Sequence, residues 1–252
     1  MKWSRSGVIR TSVGFCALML VVNQSYAAIA LDRTRVVFES GNKSVSLTVT
    51  NNNQQLPYLA QGWLEDTAGK KIQQPLVVLP PIQRIEAGEK SQVKIQKLPS
   101  VANLAQDRET LFYFNLREIP PRSNKANTLQ LALQTRIKLF YRPQALVPEK
   151  NAVPFQEKLL LNRVGDRYRV KNPGAYYVTL VDARSSVNGE SASGFEPLML
   201  APESEGTLNV SALALGSNPV LTYINDYGGR KKLLFKCSTG SNCKAEAVMP
   251  KA

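Results

Sequence analysis

The chain has 252 residues, 43% of them hydrophobic, with 15 glycines and 15 prolines, the make-up of a folded and turn-rich protein. It contains no histidine, which excludes histidine-based triads, proton shuttles and the commonest metal sites. The formal charge of +13 favours anionic partners, yet the basic residues are scattered, as at Lys70-Lys71 and Arg230-Lys231-Lys232, without the interleaved aromatics of a nucleic-acid surface.

Lys2, Arg5 and Arg10 precede an apolar run from Val13 to Val22, and Ser25-Tyr26-Ala27 follows with small residues flanking the tyrosine. This order is that of a secretory signal peptide, residues 1–27, with cleavage after Ala27. The run is too short to span a bilayer, which takes about 20 residues, and no other segment suggests membrane insertion. Removing three basic residues leaves a mature charge of +10.

From Ala28 onward the pattern is that of short strands. Val45, Leu47 and Val49 alternate with Ser46, Thr48 and Thr50, and Asn51-Asn52-Asn53 supplies a turn. Tyr58 to Leu64 gives a further strand, and "KIQQPLVVLPP" another that ends at Pro80-Pro81. "RIEAGEKSQVKI" turns at Ala87-Gly88, "PSVANLAQDRET" allows one short helical turn, and "ETLFYFNLREIPP" is an apolar strand stopped by Pro120 and Pro121. Strands at this spacing predict an immunoglobulin-like β-sandwich over 28–142. "PQALVPEKNAVP" breaks the pattern and reads as a linker, 143–154. Seven more runs, from "EKLLLNRV" to "KKLLFKC", predict a second, smaller sandwich over 155–252, so the fold class is all-β with two sandwich domains.

Cys16 lies in the leader, leaving Cys237 and Cys243 as an even pair in an exported chain, which reads as a disulfide. Two thiols without histidine do not complete a zinc site, and no metal or other cofactor is expected. No nucleophile elbow and no phosphate-binding loop occurs, so catalysis is not expected.

One stretch stands apart. In "LQLALQTRIKLFYRP", 129–143, strand spacing puts Leu129, Leu131, Leu133, Thr135, Ile137, Leu139 and Tyr141 on one face. A mean strand has about 5–6 residues in all, so this stripe exceeds what one domain has to cover. Lys138 sits on the opposite face.

The runs "LDRTRVVFESGNKSVSLTVTNNNQQLPYLAQGW", "QDRETLFYFNLREIPPRSNKANTLQLALQTRIKLFYRP", "NPGAYYVTL" and "YINDYGG" resemble the periplasmic chaperones of the chaperone–usher pathway of pilus assembly. The resemblance covers the whole mature chain. It implies two immunoglobulin-like domains in a boomerang, a periplasmic location, and pilus subunits and an outer-membrane usher as partners, with self-association of the free chaperone as a further prospect. It implies donor-strand complementation: Leu129, Leu131 and Leu133 enter the groove of an incomplete subunit, while Ile137, Leu139 and Tyr141 stay with the chaperone's own core. It assigns Arg35 and Lys138 to the subunit's terminal carboxylate, and Glu109, Arg142 and Asp226 to interdomain ion pairs. Exposed ion pairs contribute only about 0–1 kcal/mol, so this trio is expected to set the domain angle rather than add stability. The short connection before "LQLALQ" resembles the branch of the family that serves rod-like pili. An exported two-domain adhesin or carbohydrate-binding module is the alternative, with function in its loop tips.

Overall fold

The computed structural model describes residues 28–124, 127–237 and 243–248. The signal segment therefore lies outside the described residues. The first half contains ten strands: β1 (Ile29–Leu31), β2 (Arg35–Glu39), β3 (Ser44–Asn51), β4 (Tyr58–Glu65), β5 (Lys71–Ile72), β6 (Leu76–Leu79), β7 (Ile82–Ile85), β8 (Lys90–Lys97), β9 (Thr110–Ile119) and β10 (Gln134–Arg142). They form two sheets, ordered β1-β3-β8-β6 and β2-β10-β9-β4-β5, with β7 also paired to β4.

Alternation decides which side chains meet between the sheets. In β3, Leu47 and Val49 are fully buried, and Phe38, Leu64, Ile95, Phe114 and Leu139 join them from the other strands. The segment read as one strand, "KIQQPLVVLPP", is two: β5 pairs with β4 in one sheet, whereas β6 pairs with β8 in the other. Pro75 stands between them without a backbone N–H to continue a ladder. The helical turn anticipated in "PSVANLAQDRET" is a single 3₁₀ turn at Pro99–Asn103.

The second half has eight strands: β11 (Leu160–Val164), β12 (Arg167–Asn172), β13 (Val178–Arg184), β14 (Leu198–Leu200), β15 (Ser204–Ser211), β16 (Val220–Ile224), β17 (Arg230–Lys236) and β18 (Cys243–Ala247). Their order is β14-β13-β16-β17-β18-β11-β12-β15 around a core that includes Leu161, Val170, Leu180, Leu221, Leu233 and Phe235. The sequence reading contains no counterpart of β18. The Cys237–Cys243 disulfide brings it back antiparallel to β17, so a stretch of weak β character gains a template. A one-turn helix, α1 (Ala212–Leu215), also goes unread, because four residues carry no periodic signal. Its start is capped by Ser211, whose Oγ accepts from the Ala214 N–H at 3.2 Å. Together these sheets make the all-β, two-sandwich architecture. No strand lies between Arg142 and Leu160, only 3₁₀ turns at Gln144–Leu146 and Phe155–Lys158.

The long stripe behaves differently from the sequence expectation. The paired strand β10 begins at Gln134, and Leu129 to Leu133 lie outside any strand. Prolines explain where pairing stops. Gln134 faces Arg117 of β9, so continuing that antiparallel register sets Leu131 against Pro120 and Gln130 against Pro121. Neither proline can donate to a ladder. The last backbone link given by β9 is the Glu118 N–H to the Leu133 carbonyl, 3.0 Å, and beyond it the Gln130 side chain reaches across, donating to the Pro121 carbonyl.

Candidate functional site

Strand β10 runs between two neighbours of unequal length. On one side β9 pairs antiparallel with it over Gln134–Tyr141. On the other side β2 pairs parallel with it, but only from Lys138 opposite Arg35 to Arg142 opposite Glu39. The edge of β10 from Gln134 to Ile137 therefore has no neighbour beyond β9 among the described residues, and the segment before it is paired as a strand on neither side. An open edge is a template for another strand.

Along this stretch burial falls into two halves. Leu139 and Tyr141 are in the first core and Ile137 is at its border. Leu129, Leu131 and Leu133 are 83%, 66% and 48% exposed. The stripe on one face of the sequence thus covers this domain's core at one end and nothing at the other.

Arg35 and Lys138 stand side by side where β2 begins. Both are half-buried, and neither forms an ion pair among the described residues. Burial is the larger cause that lowers the Lys138 ammonium below the usual lysine range, and the neighbouring Arg35 charge adds to it. Burial likewise lowers Arg35, against the pull of Asp226 and Glu109. The guanidinium donates one hydrogen bond, from Nη1 to the Ile224 carbonyl at 3.3 Å, and passes 5.9 Å from the Phe140 ring centre. Its Nε, buried, has no hydrogen-bond partner among the described residues. Two adjacent, half-buried cations with a spare donor have the chemistry to accept an anionic group.

A second charged group lies close by. Arg142, at the end of β10, donates from Nε to Glu109 Oε1 at 2.8 Å, with Nη2 also 2.8 Å from that oxygen. Its Nη1 and Nη2 donate to the two carboxylate oxygens of Asp226 at 2.7 and 3.1 Å. Glu109 Oε2 accepts from the Tyr177 N–H at 2.8 Å, which ties the first domain to β13's approach. Burial pushes the Glu109 carboxyl up, with Arg142 and the Tyr177 N–H pulling the other way. Burial opposes the Arg142 charge too, but the hydrogen bonds and fields of Asp226 and Glu109 outweigh it and raise its pKa.

The trio is not the set of exposed ion pairs that the sequence leads one to expect. The side chains of Arg142 and Glu109 are 2% and 1% exposed, so they are not surface pairs worth a fraction of a kcal/mol. Removing one partner of such a buried pair costs about 3–5 kcal/mol, because the other charge is left without compensation. Phe155 and Tyr176, stacked at 4.0 Å, pack beside Arg142 with ring centres 5.7 and 5.2 Å from its guanidinium carbon. These two aromatics go unread in the sequence, since nothing in their spacing marks a contact with a residue on a different domain.

The sequence family described as pili and flagellar-assembly chaperone, PapD N-terminal domain, matches residues 28–147. That described as pili assembly chaperone PapD, C-terminal domain, matches residues 154–235. The chaperone protein PapD of Escherichia coli is 48% identical over 95% of this chain and 99% of its own. The probable fimbrial chaperone YfcS of Escherichia coli K12 is 50% identical over 87% of this chain and 86% of its own. Among solved structures, the Pseudomonas aeruginosa CupB2 chaperone superposes with a TM-score of 0.67 at 31% identity, covering 81% of this chain and 97% of that one. A complex of the Salmonella enterica SafA pilin with the SafB chaperone gives a TM-score of 0.67 at 27% identity, covering 82% and 94%. Two matched domains, high identity to chaperones and a shared fold lead to one conclusion: the chain belongs to the PapD family of pilus-assembly chaperones, a family of binding proteins and not of enzymes.

Proposed function

We propose that this protein caps pilus subunits in the periplasm by lending them the stretch 129–137 as a strand, and passes them to an outer-membrane usher. The observation that carries the reading is the coincidence of an open edge, exposed leucines and unpaired cations along one strand. A guest strand on the free edge of β10 occupies the lane that β2 fills further along, and it must stop where β2 starts, at Arg35. If the guest runs parallel to β10, its carboxyl end arrives at Arg35 and Lys138; if antiparallel, its amino end does. Two cations select the parallel arrangement with a terminal carboxylate. Anchoring the chain end also fixes register, since a one-residue slip exchanges Leu129, Leu131 and Leu133 for Gln130, Ala132 and Gln134. Each leucine buried in a partner adds about 1.5–3 kcal/mol of gross stabilisation.

On this reading 28–142 is the capturing domain, 143–154 the hinge and 155–252 the second domain, with Glu109, Arg142 and Asp226 fixing the angle between them. The same exposed stretch lets free copies associate, and the short connection before Leu129 suits service to rod-like pili.

Co-expression with a pilus subunit tests the proposal. Leu131→Asp is expected to abolish recovery of the periplasmic subunit while the chaperone itself accumulates normally. Undiminished recovery would sink the strand-lending reading and favour an adhesin that works through its loop tips.

A further inference from the structure

Strand β9 departs from its own pattern at one position. Phe112, Phe114 and Leu116 alternate into the first core, and the next residue on that face is Glu118, only 6% exposed. Its Oε2 accepts from the Ile29 N–H at 2.9 Å, and the carboxylate forms no ion pair among the described residues.

A second buried polar side chain close by is answered more fully. Asn51 faces Ile29 across β1 and β3. Its amide nitrogen donates to the carbonyls of Leu56, Ile85 and Glu86, and its oxygen accepts from the Asn53 N–H. A neutral amide is thus satisfied at both ends, while a carboxylate beside it holds one backbone N–H. Burying a carboxylate is costly unless a cation accompanies it.

The chain itself can bring a cation to this place. Cleavage after Ala27 turns the Ala28 nitrogen from a neutral amide into an ammonium, one residue before the N–H that Glu118 already holds. The Ala28 carbonyl accepts from the Asn52 N–H at 2.6 Å, so the peptide joining Ala28 to Ile29 is fixed. Three bonds separate the two nitrogens, which puts them no more than about 3.8 Å apart. Added to the 2.9 Å from Ile29 to Oε2, this keeps the amine within about 7 Å of the carboxylate for every Ala28 ψ. Rotation about that single bond turns the ammonium toward Glu118.

We propose that Glu118 is the binding site of the processed amino terminus: leader removal supplies the Ala28 ammonium as its counter-charge, and the first domain reaches full stability only then. The inference takes cleavage after Ala27 from the leader reading, and the ion pair is strengthened by the burial of Ile29 and Glu118 around it.

The intact mass of protein purified from the periplasm checks the leader reading separately. It should correspond to a chain beginning at Ala28, and any other start overturns the proposal. Urea unfolding of that protein is then compared before and after carbamylation with cyanate at about pH 6.5, where the α-amine reacts ahead of lysine because of its lower pKa. Removing the terminal charge is expected to lower the folding equilibrium constant about tenfold or more, as for loss of a charged hydrogen bond. Glu118→Gln keeps an acceptor for the Ile29 N–H, and in it the same treatment should change the constant by less than about twofold. That pairwise difference separates the terminal charge from any effect of modified lysines. A protein retaining residues 24–27 carries its amine up to about 13 Å further along the chain, and it should match the carbamylated wild type. No loss on carbamylation, an equal loss in Glu118→Gln, or full stability with 24–27 retained overturns the site.

Discussion

Two groups of charges lie within a few strand positions of each other on β10, and they are built for opposite ends. Around Arg142 each nitrogen of the guanidinium meets a carboxylate: Glu109 and Asp226 take it from two sides, and the side chain is only 2% exposed. Around Lys138 and Arg35 no carboxylate answers among the described residues, and two like charges share a half-buried position with the buried Nε of Arg35 left over. A satisfied buried network holds a structure in one arrangement, whereas an unsatisfied one stores an affinity. On the proposed function, the difference separates the residues that join the domains from those that meet a partner.

The contrast can be broken most visibly at Arg142. Replacing it with alanine leaves Glu109 buried without a counter-charge, and urea unfolding should show a loss of about 3–5 kcal/mol. Lys138→Ala and Arg35→Ala should do the reverse, leaving the melting temperature unchanged or slightly raised while subunit capture falls by about thirtyfold or more. A melting loss comparable to that of Arg142→Ala would place these cations in the structural group instead.

Within the leucine stripe the same distinction applies at smaller scale. Leu139→Ala, in the core, should cost about 2–5 kcal/mol of stability, while Leu131→Ser, already exposed, should change it by less than about 0.5 kcal/mol and weaken capture by about tenfold or more. The smallest effect concerns pH. Lys138 loses its proton below the usual lysine range, because burial and Arg35 disfavour the charge. Only the protonated form holds a carboxylate, so capture should begin to weaken as pH rises through that lowered pKa, and Lys138→Arg should move the decline to higher pH. Isothermal titration across the alkaline range reads it.

Much of this was legible in residue order. Alternation in stretches such as Val45–Thr50 places side chains on known faces, because successive residues on a strand point oppositely wherever the strand ends up. Resemblance across long runs indicated the family, and an even pair of cysteines after export indicated the disulfide. The surplus of the Leu129–Tyr141 stripe was also visible without coordinates. The point at which that stripe changes from core to exposed was not. It depends on which residue of β9 faces which residue of β10, and so on the accident that Pro120 and Pro121 come opposite Leu131 and Gln130.

Residue order alone establishes what the protein has available: strands with a buried face, a strip of leucines too long for one core, and cations at known positions along it. These follow from local chemistry and period. Only the tertiary structure decided which of those cations are spoken for. Arg142 meets Glu109, 33 residues away, and Asp226, 84 residues away, while Arg35 meets no carboxylate among the described residues, and nothing local to either arginine differs enough to say so. Whether a charge is structural or waiting depends on what the chain brings back to it, and that is a property of the packed domains.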